Sequence, residues 1–248
     1  MPQRLGQHFL RSASYLRRVA EAACPAHTPL VIEIGAGSGT LTEHLAERAG
    51  RVIAIEVDPN LVKDLLVRFA GEPRVKIVAT DILATDLTQW GPAVVAGNLP
   101  YYITSPIVER TLAMGKLLRR AVFLIQKEVA ERITARPGTR EYGFLTVATQ
   151  LGADARLLFK IPPGAFSPPP KVDSAVIRLE PRSGIAADPA SLLAFVALCF
   201  RHKRKTIRNN LTGFLPAAAL DELPEAGLRA EQLSLDQFRW LYSRLAGP

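Results

Sequence analysis

Cysteine is scarce in this 248-residue sequence: there are two, Cys24 and Cys199, far apart and each among apolar neighbours. Two such thiols suit reduced, buried side chains rather than a disulfide scaffold, and with only four scattered histidines no metal site is expected. Long apolar runs are missing too. The longest, Leu192–Phe200, has nine residues, against the roughly 20 that a helix needs to cross a bilayer. The first ten residues carry Arg4 and His8 among polar positions and lack an apolar stretch leading to a small-residue cleavage site. No secretion signal is therefore expected, and the cytoplasm is the expected compartment. Repeats and low-complexity segments are also lacking. What remains, 48% hydrophobic and 22% charged residues, describes a globular chain with one large domain and a small appendage, not a disordered one.

The net charge of +8 is unevenly spread. Residues 1–18 hold four basic residues (Arg4, Arg11, Arg17, Arg18) and no acid, whereas residues 19–115 hold seven basic against eleven acidic residues. Residues 116–140 reverse the balance with seven basic against two acidic. An acidic block between basic ones fits a core that handles a cationic or neutral small molecule, surrounded by surfaces that meet a polyanion, nucleic acid first among them. Ordinary solvated faces would produce single blocks of this kind as well.

Short β-branched runs at 30–35, 51–57, 75–81, 93–98 and 121–126 alternate with helical patterns at 40–48, 60–69 and 105–114. This alternation predicts an α/β fold, a doubly wound and mainly parallel sheet of Rossmann-like type, with its ligand site at the carboxyl ends of the strands. A helix near 142–151 and strands near 156–161 and 172–179 follow, and the two strands are expected to close an edge in antiparallel fashion. The turn-rich stretch 180–189 marks a boundary near residue 182. The expected domains are thus a catalytic one over 1–182 and a small all-helical one over 183–248, with helical patterns at 192–200, 206–214, 217–223 and 235–245.

The first strand runs into Glu33-Ile-Gly35-Ala-Gly37-Ser-Gly39-Thr40, where glycines let backbone approach a ligand at the start of a helix. A dinucleotide fingerprint would need glycine where Thr40 stands, which argues against nicotinamide or flavin; an S-adenosylmethionine site uses the same turn without holding a pyrophosphate, and a glycine-rich turn with no ligand would read the same way. Glu56 ends the second strand at the distance expected of a ribose acceptor. Asp81 ends the third, where a carboxylate can accept from an adenine amino group and Ile82 can cover the ring. Each acid taken alone would serve equally as a cap or turn residue.

The fourth strand ends in Asn98-Leu99-Pro100-Tyr101-Tyr102. An exocyclic amine conjugated with adenine is a poor nucleophile, and two acceptors, Asn98 Oδ1 and the Leu99 carbonyl, can draw its hydrogens out of the ring plane. Tyr101 offers a face on which the base can stack. Methyl transfer from a sulfonium then needs positioning and electrostatics rather than a strong base.

Gly6-Gln7-His8-Phe9-Leu10, Glu33–Thr40, Asn98–Tyr102 and Phe166-Ser-Pro-Pro-Pro-Lys-Val-Asp-Ser174-Ala-Val176 together resemble the four signatures of the rRNA adenine N6,N6-dimethyltransferase family, in order and over almost the whole chain. Among its branches the bacterial small-subunit one is most similar; the large-subunit resistance enzymes usually carry Ile where Leu99 stands. The resemblance implies S-adenosylmethionine as methyl donor, with His8 and Leu10 at its methionine end, Gly35 and Gly37 contacting it through backbone, Glu56 on the ribose, Asp81 and Ile82 at the adenine, and Asn98 between cofactor and target amine. It implies that Asn98, Leu99, Tyr101 and Phe166 form the catalytic group, with Phe166 sandwiching the target base against Tyr101. The implied substrate is a pair of adjacent adenosines in the 3′-terminal hairpin loop of 16S rRNA within the small ribosomal subunit, each dimethylated, with a role in ribosome biogenesis. Arg201, Lys203, Arg204, Lys205 and Arg208 then become the rRNA-recognition edge of the helical module. A monomer is expected. A macrolide-resistance methyltransferase acting on 23S rRNA and a non-catalytic RNA-binding assembly factor are the competing readings.

Overall fold

The computed structural model describes residues 8–182 and 189–245, so Arg4, the Gly6-Gln7 part of the first signature and most of the turn-rich stretch lie outside the described residues. Nine strands and ten α-helices occur among those described. In chain order they are β1 (Phe9–Leu10), α1 (Ala13–Ala23), β2 (Thr28–Ile34), α2 (Thr40–Ala46), β3 (Ala49–Glu56), α3 (Pro59–Arg68), β4 (Val75–Ala79), β5 (Ala93–Asn98), α4 (Thr104–Leu112) and β6 (Leu118–Gln126). Then come α5 (Lys127–Ile133), α6 (Phe144–Gly152), β7 (Ala153–Ile161), β8 (Phe166–Ser167), β9 (Ser174–Pro181), α7 (Pro189–Cys199), α8 (Ile207–Leu211), α9 (Ala217–Asp221) and α10 (Leu235–Leu245).

Seven strands form one sheet in the order β4-β3-β2-β5-β6-β9-β7. β2 to β6 run parallel, and the near-continuous apolar runs of β2, β3, β5 and β6 reflect burial on both faces, whereas the edge strand β4 is only partly covered. β9 lies antiparallel between β6 and β7, so the expected antiparallel closure is present. The outermost strand β7 therefore again runs in the direction of the first five. Winding goes from β2 outward through β3 and β4, then restarts on the other side of β2 with β5. That reversal opens a crevice at the carboxyl ends of β2 and β5, the usual ligand position in such sheets.

Buried apolar faces and capping residues account for the helices around the sheet. Leu16, Val19, Ala20 and Ala23 recur at helical spacing on α1 and bury against Leu41, Leu45 and Val31. Asp58 caps α3 by accepting from the Asn60 N–H at 2.8 Å, with Pro59 opening the first turn.

The chain forms two compact units that do not coincide with a single cut at residue 182. One contains the described residues up to Ala130 together with Ala153–Pro181; the other contains Glu131–Gly152 and the described residues from Arg182 onward. The reason is packing. Tyr142, Val147 and Leu151 share a core with Leu192, Val196, Leu211, Phe238 and Leu241, so the helix that precedes β7 in sequence belongs with the C-terminal helices. Tyr142 adds a hydrogen bond to the Leu233 carbonyl at 2.8 Å.

In β5, Gly97 permits the close approach of the two strands flanking the crevice, since a Cβ there would collide with the Ile34 carbonyl oxygen of β2. Gly97→Ala is expected to force these strands apart and lower stability by about 1–3 kcal/mol, measured as a fall in the urea denaturation midpoint.

Candidate active site

A cavity of about 400 Å³ occupies the crevice, a volume suited to a small-molecule cofactor. His8, Leu10, Gly35, Gly37, Glu56, Asp81, Ile82, Asn98, Leu99 and Tyr101 all line it. The exception among the expected catalytic and cofactor residues is Phe166, which is 5% exposed and packs in the apolar core with Leu10, Leu16 and Ile161. It is tied to the cavity wall only through β1, with which β8 pairs in the register Leu10 to Phe166 and Phe9 to Ser167.

The glycine turn and Glu56 form one device. Glu56 Oε2 accepts from the Gly37 N–H at 2.9 Å, and Oε1 accepts from the N–H groups of Val57 and Asp58 at 2.8 and 2.9 Å. Three of about four acceptor positions on a carboxylate are then used, which leaves capacity for a ligand hydroxyl. Gly37 has φ +57°, and a Cβ on it would meet the Phe9 ring at 2.9 Å, so glycine is needed both for its backbone conformation and for the close approach of β1. Asp81 does act as a cap: its Oδ1 accepts from the Leu83 N–H at 2.8 Å. Its other oxygen meets no donor among the described residues. Asp58, committed to α3, does not line the cavity.

On the opposite wall, Asn98 Nδ2 donates to the His8 carbonyl at 2.9 Å. Oδ1, with no donor against it among the described residues, is left to accept. The Leu99 N–H is held by the Leu124 carbonyl at 3.0 Å, which fixes the next peptide. The Tyr101 hydroxyl and Ser174 Oγ are hydrogen-bonded at 2.8 Å; burial pushes the phenol pKa up, and the Ser174 bond opposes that. His8 also bridges outward, with Nδ1 2.8 Å from the Pro168 carbonyl and its ring stacked 6.0 Å from that of Tyr101.

Glu33, Glu56 and Asp81 line the cavity, and neither Lys nor Arg is among its described lining residues. A pyrophosphate would find no cation here, whereas a positively charged nucleoside fits. S-adenosylmethionine matches this donor set: Glu56 has acceptor capacity for a ribose hydroxyl, Asp81 has a free oxygen for an amino group, and buried Ile82 offers an apolar face.

The chain matches the family model described as ribosomal RNA adenine dimethylase over residues 2–245. It belongs to that family. Ribosomal RNA small subunit methyltransferase A of Acidobacterium capsulatum is 42% identical over 98% of this chain and 90% of the relative. The protein of the same name from Rubrobacter xylanophilus is 41% identical over 98% and 95%. Among solved structures, a dimethyladenosine transferase from Plasmodium falciparum superposes with a TM-score of 0.85 at 26% identity, covering 94% of this chain and 96% of that one. The 23S rRNA methyltransferase ErmE gives 0.77 at 32% identity, covering 96% and 100%.

The expected recognition run lies in the second unit. Arg201, Lys203, Arg204 and Lys205 are exposed, while Arg208 on α8 forms an ion pair with Asp221. Sequence reading missed what shapes this loop. Buried Asn210 accepts from the His202 N–H at 2.9 Å and donates to the carbonyls of His202 and Lys205, both at 3.2 Å. The available signal was spacing: Asn210, next to Asn209, falls three residues after Ile207 and beside Leu211, on the buried side of α8.

Also missed were Phe9, Tyr102 at the cavity rim and Glu33. Glu33 is 1% exposed in the middle of an apolar strand and accepts from the Thr42 hydroxyl at 2.5 Å. Burial pushes its pKa from the ordinary 4.5 up to about 8; the Thr42 bond opposes this, and the neighbouring Glu56 charge adds to it. Between those values the folded state holds the proton and the unfolded state does not, so this group makes stability fall as pH rises from about 4.5 towards 8. Glu33→Gln, which keeps the Thr42 acceptor, is expected to gain stability relative to the parent at pH 8 compared with pH 5, measured by urea denaturation at both values.

Proposed function

We propose that this chain is an S-adenosylmethionine-dependent dimethyltransferase acting on the N6 amino groups of two adjacent adenosines in the 3′-terminal hairpin loop of small-subunit rRNA. It works as a cytoplasmic monomer during ribosome biogenesis. The observation that carries the reading is the orientation of Asn98, whose amino end is occupied by the His8 carbonyl and whose Oδ1 is left as an acceptor. The small-subunit target is supported by relatives at 41 to 42% identity over nearly the full length, compared with 32% to the 23S rRNA enzyme.

S-adenosylmethionine, when bound, supplies an electrophilic methyl group on a positively charged sulfur. Glu56 would hold its ribose, Asp81 and Ile82 its adenine, and the segment His8–Leu10 its methionine end. Asn98 Oδ1 and the Leu99 carbonyl accept the hydrogens of the target amine and so localise its lone pair. Tyr101, fixed through Ser174, supports the ring of the base. An amino group inside a duplex is out of reach of such a pocket, so the adenosine enters unstacked from a loop. Positioning and the acidic surroundings carry the reaction, and a strong base is not needed. A second transfer to the same nitrogen requires that the amine be accepted with one hydrogen remaining, which one of the two acceptors can hold.

Asn98→Ala is expected to retain S-adenosylmethionine binding by calorimetry, with affinity changed less than tenfold, and to lose at least a hundredfold in methyl transfer to undermethylated small subunits. Unchanged turnover would remove Asn98 from this role.

A further inference from the structure

The basic block at the start of the chain finds no use in the site described above. Of its residues, Arg11, Arg17 and Arg18 are exposed and have no ion-pair partner among the described residues. Four other arginines of the same unit are paired, Arg48 with Glu21, Arg68 with Glu43, Arg74 with Glu72 and Arg120 with Glu180, whereas Arg51, Arg119 and Arg156 are exposed without an ion pair among the described residues. Glu21, the acid on α1, is thereby already engaged.

One of these cations, Arg18, has an ordered aromatic base. The Arg18 guanidinium lies 3.8 Å from the centroid of Phe159 on β7 and 5.6 Å from that of Tyr15, and the two rings stack with 19° between their planes. A guanidinium stacked by its face keeps its N–H donors free in its own plane, where they match a phosphate. The group is therefore held in place without its hydrogen-bonding capacity being spent. Arg17 lies four residues beyond Ala13, about 6 Å up the helix at 1.5 Å per residue.

The patch also starts beside the acceptor wall. Arg11 follows Leu10, which lines the cavity, and its N–H donates to the Ala165 carbonyl at 2.9 Å, next to Phe166. Tyr15, Phe159 and Ala165 all pack on the core that contains Leu10 and Phe166. Exposed cations, one of them held over aromatic rings, beside a cavity wall that carries base-stacking groups have the chemistry of a single-stranded RNA path.

We infer that the exposed Arg11, Arg17 and Arg18, the last seated on Tyr15 and Phe159, form a phosphate-docking track for the RNA strand that flanks the target adenosine. The inference rests on the proposed methylation of rRNA for the identity of that strand. The track is separate from the cations of the second unit and acts on RNA binding rather than on the methyl-transfer step.

The test uses the full chain with Arg17→Ala/Arg18→Ala and, as a charge-keeping control, Arg17→Lys/Arg18→Lys. Two quantities are read: methylation kinetics on undermethylated small subunits, and the salt dependence of binding to a fluorescein-labelled RNA hairpin with a single-stranded loop. The alanine variant is expected to raise KM for the subunit about tenfold, with kcat and S-adenosylmethionine affinity unchanged. It is also expected to reduce the slope of log affinity against log salt by about 1 to 2, the loss of two phosphate contacts. The lysine variant should restore the slope. A parent-like KM and slope in the alanine variant overturn the track. If the parent enzyme itself leaves the subunits unmethylated, the functional reading fails, and the hairpin salt slopes of parent and variant still decide the track.

Discussion

The Asn98 carboxamide can face only one way. A carbonyl oxygen is an acceptor and nothing else, so the His8 carbonyl at 2.9 Å requires the amino end of Asn98 and turns Oδ1 away from it. Much of the site is organised around that requirement. The segment carrying His8 is held by pairing of β1 with β8 and by the Thr40 hydroxyl donating to the Leu10 carbonyl at 3.3 Å. Asn98 itself ends β5, whose close approach to β2 depends on Gly97. The residues expected at the methionine end of the cofactor and those expected at the target amine are thus joined by a single hydrogen bond, and displacement of the N-terminal segment would release the acceptor as well as uncover the pocket.

The electrostatics separate two kinds of ligand. Carboxylates line the cavity without a lysine or arginine among its described residues, whereas uncompensated arginines are exposed on α1 and cationic side chains on the loop after α7. Three backbone N–H groups point at the Glu56 carboxylate. Glu33 meets a single hydroxyl donor, and burial, with the neighbouring Glu56 charge adding to it, pushes its pKa up to about 8.

The strand ends were legible in the sequence because the parallel strands are short, β-branched and bounded by polar turns, a pattern that puts Gly35, Glu56, Asp81 and Asn98 at the same edge of the sheet. The helix α1 was hidden, since Arg17 and Arg18 drew attention to its charge and its buried stripe of Leu16, Val19, Ala20 and Ala23 is partly alanine. The assignment of Glu131–Gly152 to the second unit was not legible either. It depends on Tyr142 and Val147 meeting residues some 50 to 100 positions later in the chain, a non-local choice that local periodicity does not encode. For the same reason the burial of Phe166 against Leu10 and Leu16 emerged only from the fold.

The account stands on the chemistry assigned to Asn98 and its neighbours and on the RNA presented to them. Purified enzyme given radiolabelled S-adenosylmethionine and undermethylated small subunits, followed by mapping of the modified nucleotides, tests both at once. The account predicts N6,N6-dimethylation of two adjacent adenosines in the 3′-terminal hairpin loop, four methyl groups per particle, and no incorporation into purified large subunits. Methylation confined to large subunits, or placed on an atom other than adenine N6, would contradict it.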